Sequence, residues 1–124
     1  HDRNTGVNGT NSLISRDNSG VPNAGNQISS APSISSDGRY VAFTSLATNL
    51  AAGVGGQQIY LHDRNGPTTS HVSKDNSVVP VPGNAASDTP SISGNGGLVA
   101  FTSQASNLLA GGVAPSDIYV RALP

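Results

Sequence analysis

Three histidines, His1, His62 and His71, are the side chains of this sequence that would titrate near neutral pH. His62 precedes Asp63, and with one of the many serines this pair could build a Ser-His-Asp arrangement. However, the sequence has no Gly-x-Ser-x-Gly motif, and neighbouring residues of a strand point to opposite faces of a sheet. We therefore predict histidines at the surface or at a strand edge, no catalytic residues and no enzymatic activity of this chain alone.

Oxygen ligands for a metal ion occur in two matching stretches, Asp17-Asn18-Ser19 and Asp75-Asn76-Ser77. A hard cation such as Ca²⁺ needs several converging oxygen atoms, whereas the 7 acidic residues are scattered singly. Asp and Asn side chains also bind their own main chain in Asx turns. We predict Asx turns at both stretches and no metal site. The sequence also lacks a phosphate-binding loop and a Rossmann fingerprint, so no cofactor is predicted.

The composition of the chain argues against several classes of partner and chemistry. The net charge of −1 gives no basic patch for nucleic acid. No apolar run approaches the roughly 20 residues that span a bilayer. Cysteine is absent, which excludes disulfides and thiol catalysis. The chain begins with His1 rather than Met, so we expect a processed chain or an excised piece.

The composition predicts that these side chains lie on strands and turns. Gly, Pro, Ser and Asn are frequent and only 10% of residues are charged, which disfavours helices and favours strands joined by turns. The stretch from Pro32 to Ser45 recurs from Pro90 to Ser103, a shift of 58 residues. Each copy reads as a hairpin with a turn at Asp37-Gly38 or Asn95-Gly96. A repeat of this length indicates units that stack to bury their apolar faces.

Further strands follow each hairpin. Both faces of the stretch from Tyr40 to Ser45 are largely apolar, so we predict a central strand covered on both sides. A single helical turn is also conceivable around residues 46–49. The aromatic residues recur at strand positions and are predicted to be core: Tyr40, Phe43, Tyr60, Phe101 and Tyr119. The predicted strands are 10–16, 33–35 opened by Pro32, 40–45, 57–63, 68–74, 98–103 and 117–121.

The repeated hairpin, the Asn-Leu after it (Asn49-Leu50, Asn107-Leu108) and the strand Ile59-Tyr60-Leu61-His62-Asp63-Arg64 resemble the TolB-type, WD-like β-propeller repeat. This resemblance implies an all-β fold of four-stranded antiparallel blades, and an extracellular or periplasmic location in bacteria. The loop before Ile59 lacks the acidic residues that are common in that family, and the second copy keeps only Asp117 there. Two blade-equivalents are too few to close a ring, since propellers use roughly four to eight blades.

The resemblance therefore implies assembly. Residues 1–17 would give an outer strand to a neighbouring blade, residues 31–74 would form a complete blade, and residues 89–124 would form a blade without its outer strand. Strand donation between copies would close a ring, with three chains favoured over four. The alternatives are a propeller platform that binds a glycan or a protein, an excised part of a larger secreted propeller, and an open filament.

Overall fold

A computed structural model of the chain describes residues 9–110 and 116–123. These residues form two antiparallel sheets and no helix. The first sheet has the strand order β1-β2-β3-β4 and the second has the order β5-β6-β7. The strands are β1 (Ser29–Ile34), β2 (Tyr40–Ser45), β3 (Gln58–Asp63), β4 (Thr68–His71), β5 (Ser87–Ile92), β6 (Leu98–Ser103) and β7 (Asp117–Ala122).

The central position predicted for the second strand of each hairpin is confirmed, because β2 and β6 have the predicted bounds and each lies between two other strands. Of these two strands, β2 alone is covered on both faces, since Leu98 of β6 is 47% exposed. Residues 41–45 are all buried. The reason is the one that the sequence indicated: β-branched and aromatic residues alternate with Ala and Thr, so both faces of the strand can be covered.

The first strand of each hairpin begins earlier than predicted. Pro32 does not open β1, which starts at Ser29, and β5 likewise starts at Ser87, ahead of Pro90. The pairing of β1 with β2 is irregular between Ser30 and Ser33, and the residue before the proline, Ala31, has a φ of 52°. A β-bulge tolerates proline inside a strand because no ladder hydrogen bond is required there.

Other predicted elements are shorter than predicted or absent, and the bounds of β3 and β7 each differ by one residue. The predicted strand 68–74 ends at His71, and Lys74 forms only an isolated bridge with Pro82. The predicted strand 10–16 is reduced to a bridge between Arg16 and Ala24. Residues 46–49 form no helical turn. The first strand-like segment lacks a paired neighbour among the described residues, and an unpaired strand has no ladder to hold it extended.

Each sheet has two distinct faces. We call the face that bears Phe43 in the first sheet, and Phe101 in the second, the Phe face. The opposite face, which bears Ile59 in the first sheet and Ile118 in the second, is called the Ile face. The Phe face of the second sheet packs against the Ile face of the first, and this contact forms the larger core. Its buried members are Ala42, Ile59, Leu61, Val72, Val99, Phe101, Ala105 and Leu108.

Polar contacts also join the two sheets at the hairpin turns. The Ser36 main-chain N–H and hydroxyl both donate to Gly94 O, at 3.1 and 2.9 Å. The Tyr40 ring lies against Gly96, whose φ is 76°, and a Cβ at that position would overlap the ring. Glycine is required here both for the left-handed turn and for the close approach of Tyr40.

Candidate functional site

The prediction of a surface or strand-edge position is wrong for His62. This residue lies in β3, which is paired on both sides, and only 2% of it is exposed. Its Nδ1 lies 2.9 Å from Thr69 Oγ1, which gives the buried ring a hydrogen-bond partner. Burial, together with the positive charge of Arg16, lowers the pKa of His62. The lowered pKa favours the neutral form of the buried His62 ring. His1 lies outside the described residues.

His71 lies on the edge strand β4, but it is buried as well, with 9% exposed. Its ring is 5.7 Å from the ring of Tyr60, and its Nε2 is 3.2 Å from both Gln58 Oε1 and Ser73 Oγ. Burial, with the positive charges of Lys74 and Arg121, lowers the pKa of His71 to about 4. Ser73 is fully buried and accepts a hydrogen bond from the Ile59 N–H, so this Ser-His pair is closed to substrates.

Asp63 does not pair with either histidine. The Arg39 guanidinium donates from Nε to Asp63 Oδ1 and from Nη2 to Oδ2, both at 2.9 Å, and this contact lowers the pKa of Asp63 to about 2. The side chain of His62 binds Thr69 instead, as expected if neighbouring residues in β3 point to opposite faces. Within residues 9–110 and 116–123, neither histidine is hydrogen-bonded to a carboxylate, and so the geometry of a catalytic triad is not present there.

The two Asp-Asn-Ser stretches form Asx turns, as predicted. Asp17 Oδ1 accepts hydrogen bonds from Ser19 N–H at 3.1 Å, Ser19 Oγ at 2.7 Å and Asn23 N–H at 2.9 Å. Asp75 repeats the pattern with Ser77, and these hydrogen bonds lower the pKa of both carboxyl groups. In the part of the chain that the structure describes, no three His, Asp or Glu side chains lie close enough to hold a metal ion.

Apolar side chains are exposed on the Ile face of the second sheet. Ile118 and Val120 of β7 are 71% and 63% exposed. The corresponding residues of β3, Ile59 and Leu61, are 0% and 7% exposed because the second sheet covers them. Covering one such side chain stabilises a protein by about 1.5–3 kcal/mol. This face is therefore a candidate interaction surface.

The Phe face of the first sheet is largely buried but is open at Ile34. Ile34 of β1 is 57% exposed, whereas its counterpart Ile92 packs into the core between the two sheets. A groove of about 260 Å³ lies between this face and residues 12–15. Its apolar lining residues are Leu13, Ile14, Pro32, Val41 and Phe43.

Residues 9–16, which we call the N-terminal segment, lie along the Phe face of the first sheet. Ile14 packs against the cluster of Phe43 and Tyr60, just as Val72 packs in the core that contains Phe101. Three main-chain hydrogen bonds also recur at a shift of 58 residues. The donor–acceptor pairs are Arg16–Ile14, Asp17–Asn23 and Gly25–Ser15 in the first copy, and Lys74–Val72, Asp75–Val81 and Gly83–Ser73 in the second.

The third strand of the second sheet has an open edge. In the first sheet, β4 pairs with β3, whereas no strand of the described residues pairs with the outer side of β7. A cavity of about 310 Å³ lies beside β7, at the place that corresponds to β4 beside β3. Its lining residues are Lys74, Asn76, Phe101, Leu108, Leu109 and residues 119–122. The Tyr119 hydroxyl is buried and has no hydrogen-bond partner among the described residues.

Comparison with protein-family models finds none that matches this chain, and comparison with curated proteins finds no significant match. None of the described residues belongs to a helix long and apolar enough to cross a membrane.

Sequence reasoning missed the open faces, although a signal for them was present. Ile118-Tyr119-Val120 follows Ile59-Tyr60-Leu61 at a shift of 59 residues, so the two stretches occupy equivalent strand positions. The predicted core positions are confirmed for Phe43, Tyr60 and Phe101, which are all nearly fully buried, and burial raises the pKa of Tyr60 to about 12.

Proposed function

We propose that this chain is a non-enzymatic, self-assembling module whose two sheets are blades of a β-propeller. Copies of the chain complete one another by strand donation: the N-terminal segment of one copy pairs with β7 of the next. The observation that carries this proposal is the contrast between the buried Ile59 and Leu61 and the exposed Ile118 and Val120 at equivalent positions.

The open surfaces of the chain are complementary to one another. The Phe face of the second sheet already packs on the Ile face of the first within one chain. The same contact between two chains would place the Phe face of the first sheet, with Ile34, on the exposed Ile118 and Val120. Such a head-to-tail contact uses two different surfaces and leads to a ring if its rotation closes.

The N-terminal segment supports the same arrangement. It reproduces the main-chain path that follows β4, and yet it has no third strand beside it among the described residues. In the first sheet, Val72 N–H donates to Ile59 O at 2.8 Å. The equivalent bond between two chains would join Ile14 N–H of the donor to Ile118 O of the acceptor. Three chains would give six blades, within the range of roughly four to eight that propellers use.

Light scattering of the intact chain at micromolar concentration tests the proposal, with the mass of a trimer as the expected result. Deletion of residues 1–16 should abolish that species, because β7 would lose its partner strand. Ile14→Pro should act similarly because proline cannot donate the ladder hydrogen bond. Val78→Pro, at a fully exposed loop position, serves as the matched control. A compact monomer of the intact chain would contradict the proposal.

A further inference from the structure

Asn18 shows how the outer strand of the first sheet is held. Its Oδ1 accepts the Thr69 N–H at 2.7 Å, and its Nδ2 donates to Thr69 O at 2.8 Å. The side-chain amide therefore binds both main-chain groups of one residue on the free side of β4, as a further strand would. The Thr69 hydroxyl also donates to Arg16 O at 2.7 Å, which ties β4 to the same loop.

Asn76 lies in the corresponding loop of the second copy. The turn around Asp75 repeats that around Asp17, and Asn76 is the counterpart of Asn18 at the 58-residue shift. Here the structure describes no outer strand for Asn76 to hold. The Arg121 Nη1 instead donates to Lys74 O at 2.9 Å, which is the counterpart of Arg16 O, and lies 3.4 Å from Asn76 Oδ1.

The cavity of about 310 Å³ lies between these two sides. Asn76 and Lys74 line it on the loop side, and residues 119–122 line it on the side of β7. It is therefore a slot with a strand edge along one wall and a side-chain amide on the other. The equivalent slot in the first sheet contains β4.

We infer that Asn76 binds the main chain of Asn11 from a second copy of this chain, and that this contact sets the register of the donated strand. The inference rests on the proposed strand donation and names its recognition residue. Asn11 is the counterpart of Thr69 at the 58-residue shift. The register of β3 and β4, transferred to the pair of chains, gives Tyr119↔Leu13, Val120↔Ser12, Arg121↔Asn11 and Ala122↔Thr10.

The side chain of Leu13 fits this register. Leu13 is 53% exposed and is the counterpart of His71, which covers the Tyr60 ring in the first sheet. In the transferred register, Leu13 would enter the slot over the Tyr119 ring, where Phe101 and Leu108 provide apolar walls. An apolar side chain thus replaces a histidine at the position where two chains meet.

Substitution of Asn76 tests the inference directly. Asn76→Ala removes two hydrogen bonds to the donated strand, and the dissociation constant of the assembly, measured by analytical ultracentrifugation, should rise about ten- to hundredfold. Asn65→Ala is the matched control, because Asn65 is an exposed asparagine at the β3–β4 turn. Asn11→Ala should leave assembly unchanged, since Asn76 would bind only main-chain atoms, whereas Asn11→Pro removes the N–H and should weaken it.

Disulfide formation gives a readout of register that is independent of affinity. The sequence has no cysteine, so an engineered pair reports on its own. Ser12→Cys with Val120→Cys should form a disulfide between chains, because paired strand residues lie within disulfide reach. Ser12→Cys with Arg121→Cys should not, since the two side chains point to opposite faces. In the Asn76→Ala background, cross-linking of Thr10→Cys with Val120→Cys should appear as the strand slips by two residues.

The outcomes separate the two ideas. If the intact chain assembles but Asn76→Ala assembles as tightly as Asn65→Ala, and with the same cross-links, the role of Asn76 is wrong and strand donation stands. If the intact chain stays monomeric, strand donation itself is wrong.

Discussion

The Ile faces of the two sheets carry nearly the same residues and have opposite environments. In the first sheet, Ile59 and Leu61 are 0% and 7% exposed, whereas in the second sheet Ile118 and Val120 are 71% and 63% exposed. The difference comes from what lies against each face, since the second sheet covers the first. Equivalent apolar side chains are thus part of the core in the first sheet and part of a candidate interface in the second.

The largest expected loss of stability comes from alanine substitutions on the two Phe faces. Phe43 and Phe101 are each 4% exposed, and each stacks on a tyrosine of the next strand at 5.8 Å. Phe43→Ala and Phe101→Ala should each lower the free energy of unfolding by about 3–5 kcal/mol. Urea denaturation measures this effect. An unchanged thermal midpoint in both variants would show that β2 and β6 are not the core strands of their sheets.

The Ile faces should separate two otherwise identical substitutions. Ile59→Ala removes a fully buried side chain and should cost about 2–5 kcal/mol at every protein concentration. Ile118→Ala should cost less than about 0.5 kcal/mol in a dissociated chain, since surface substitutions have small effects. In the assembled state its cost should approach that of Ile59→Ala. Denaturation above and below the dissociation concentration checks this, and an assembly indifferent to Ile118→Ala would contradict the proposed contact.

His71 and its counterpart Leu13 should differ in the response to pH. The folded-state pKa of His71 is about 4, below the ordinary value of 6.5, so the unfolded chain binds more protons between these values. Stability should be full above pH 6.5 and should fall by about 2–3 kcal/mol as the pH decreases to 4. His71→Leu should remove most of this slope, with a smaller part remaining for His62. Urea midpoints across this range provide the measurement, and an unchanged slope would refute the assignment.

Alanine substitutions at the two hairpin turns should differ less in their cost to stability. Gly38 and Gly96 have φ values of 75° and 76°, so alanine at either position should cost about 1–2 kcal/mol. Gly96→Ala should cost about 1–2 kcal/mol more than Gly38→Ala, because its Cβ would displace the Tyr40 ring. Thermal unfolding of the two variants gives the comparison. Equal midpoints would mean that Tyr40 moves aside freely.

Removal of calcium should leave both stability and assembly unchanged. The loop residues 51–57 carry no acidic side chain, and the carboxylates of Asp17 and Asp75 already accept hydrogen bonds within their own loops. A chelator should leave the melting temperature and the mass of the assembly unchanged. A drop in either would direct attention to Asp17, Asp75 and Asp37 as ligands.

The central strands could be predicted because their signal is local. Tyr40–Ser45 and Leu98–Ser103 are largely apolar on both faces, a pattern typical of a strand that lies between two others. The start of β1 could not be predicted, because Ser29 and Ser30 resemble a polar loop. They become part of a strand by pairing with Ser45 and Thr44, and the Ser29 hydroxyl donates to Ser45 Oγ at 2.9 Å. Each of these pairs joins residues that are 14 or 16 positions apart in the sequence, so the pairing has no local signal.

The candidate site was harder to predict than the strands. A polar residue such as His62 is expected at the surface from its type alone. It is buried because Thr69 provides a hydrogen-bond partner within the sheet. Likewise, Asn18 and Asn76 both have the sequence of an Asx turn, and only the structure shows that Asn18 also holds the main chain of Thr69. The contact between Asn18 and Thr69 joins residues 51 positions apart, so no local pattern can reveal it.

Local sequence is sufficient to predict the duplication, the central strand of each hairpin and the turns at Gly38 and Gly96. Which copy has its Ile face covered depends on how the two sheets stack. Ile59 and Ile118 have the same residue type and the same place in their strands, and their environments differ because burial is a property of the neighbouring surface. A side chain leaves water only when another apolar surface is held against it, and the stacking order of the two sheets provides that surface for Ile59 alone.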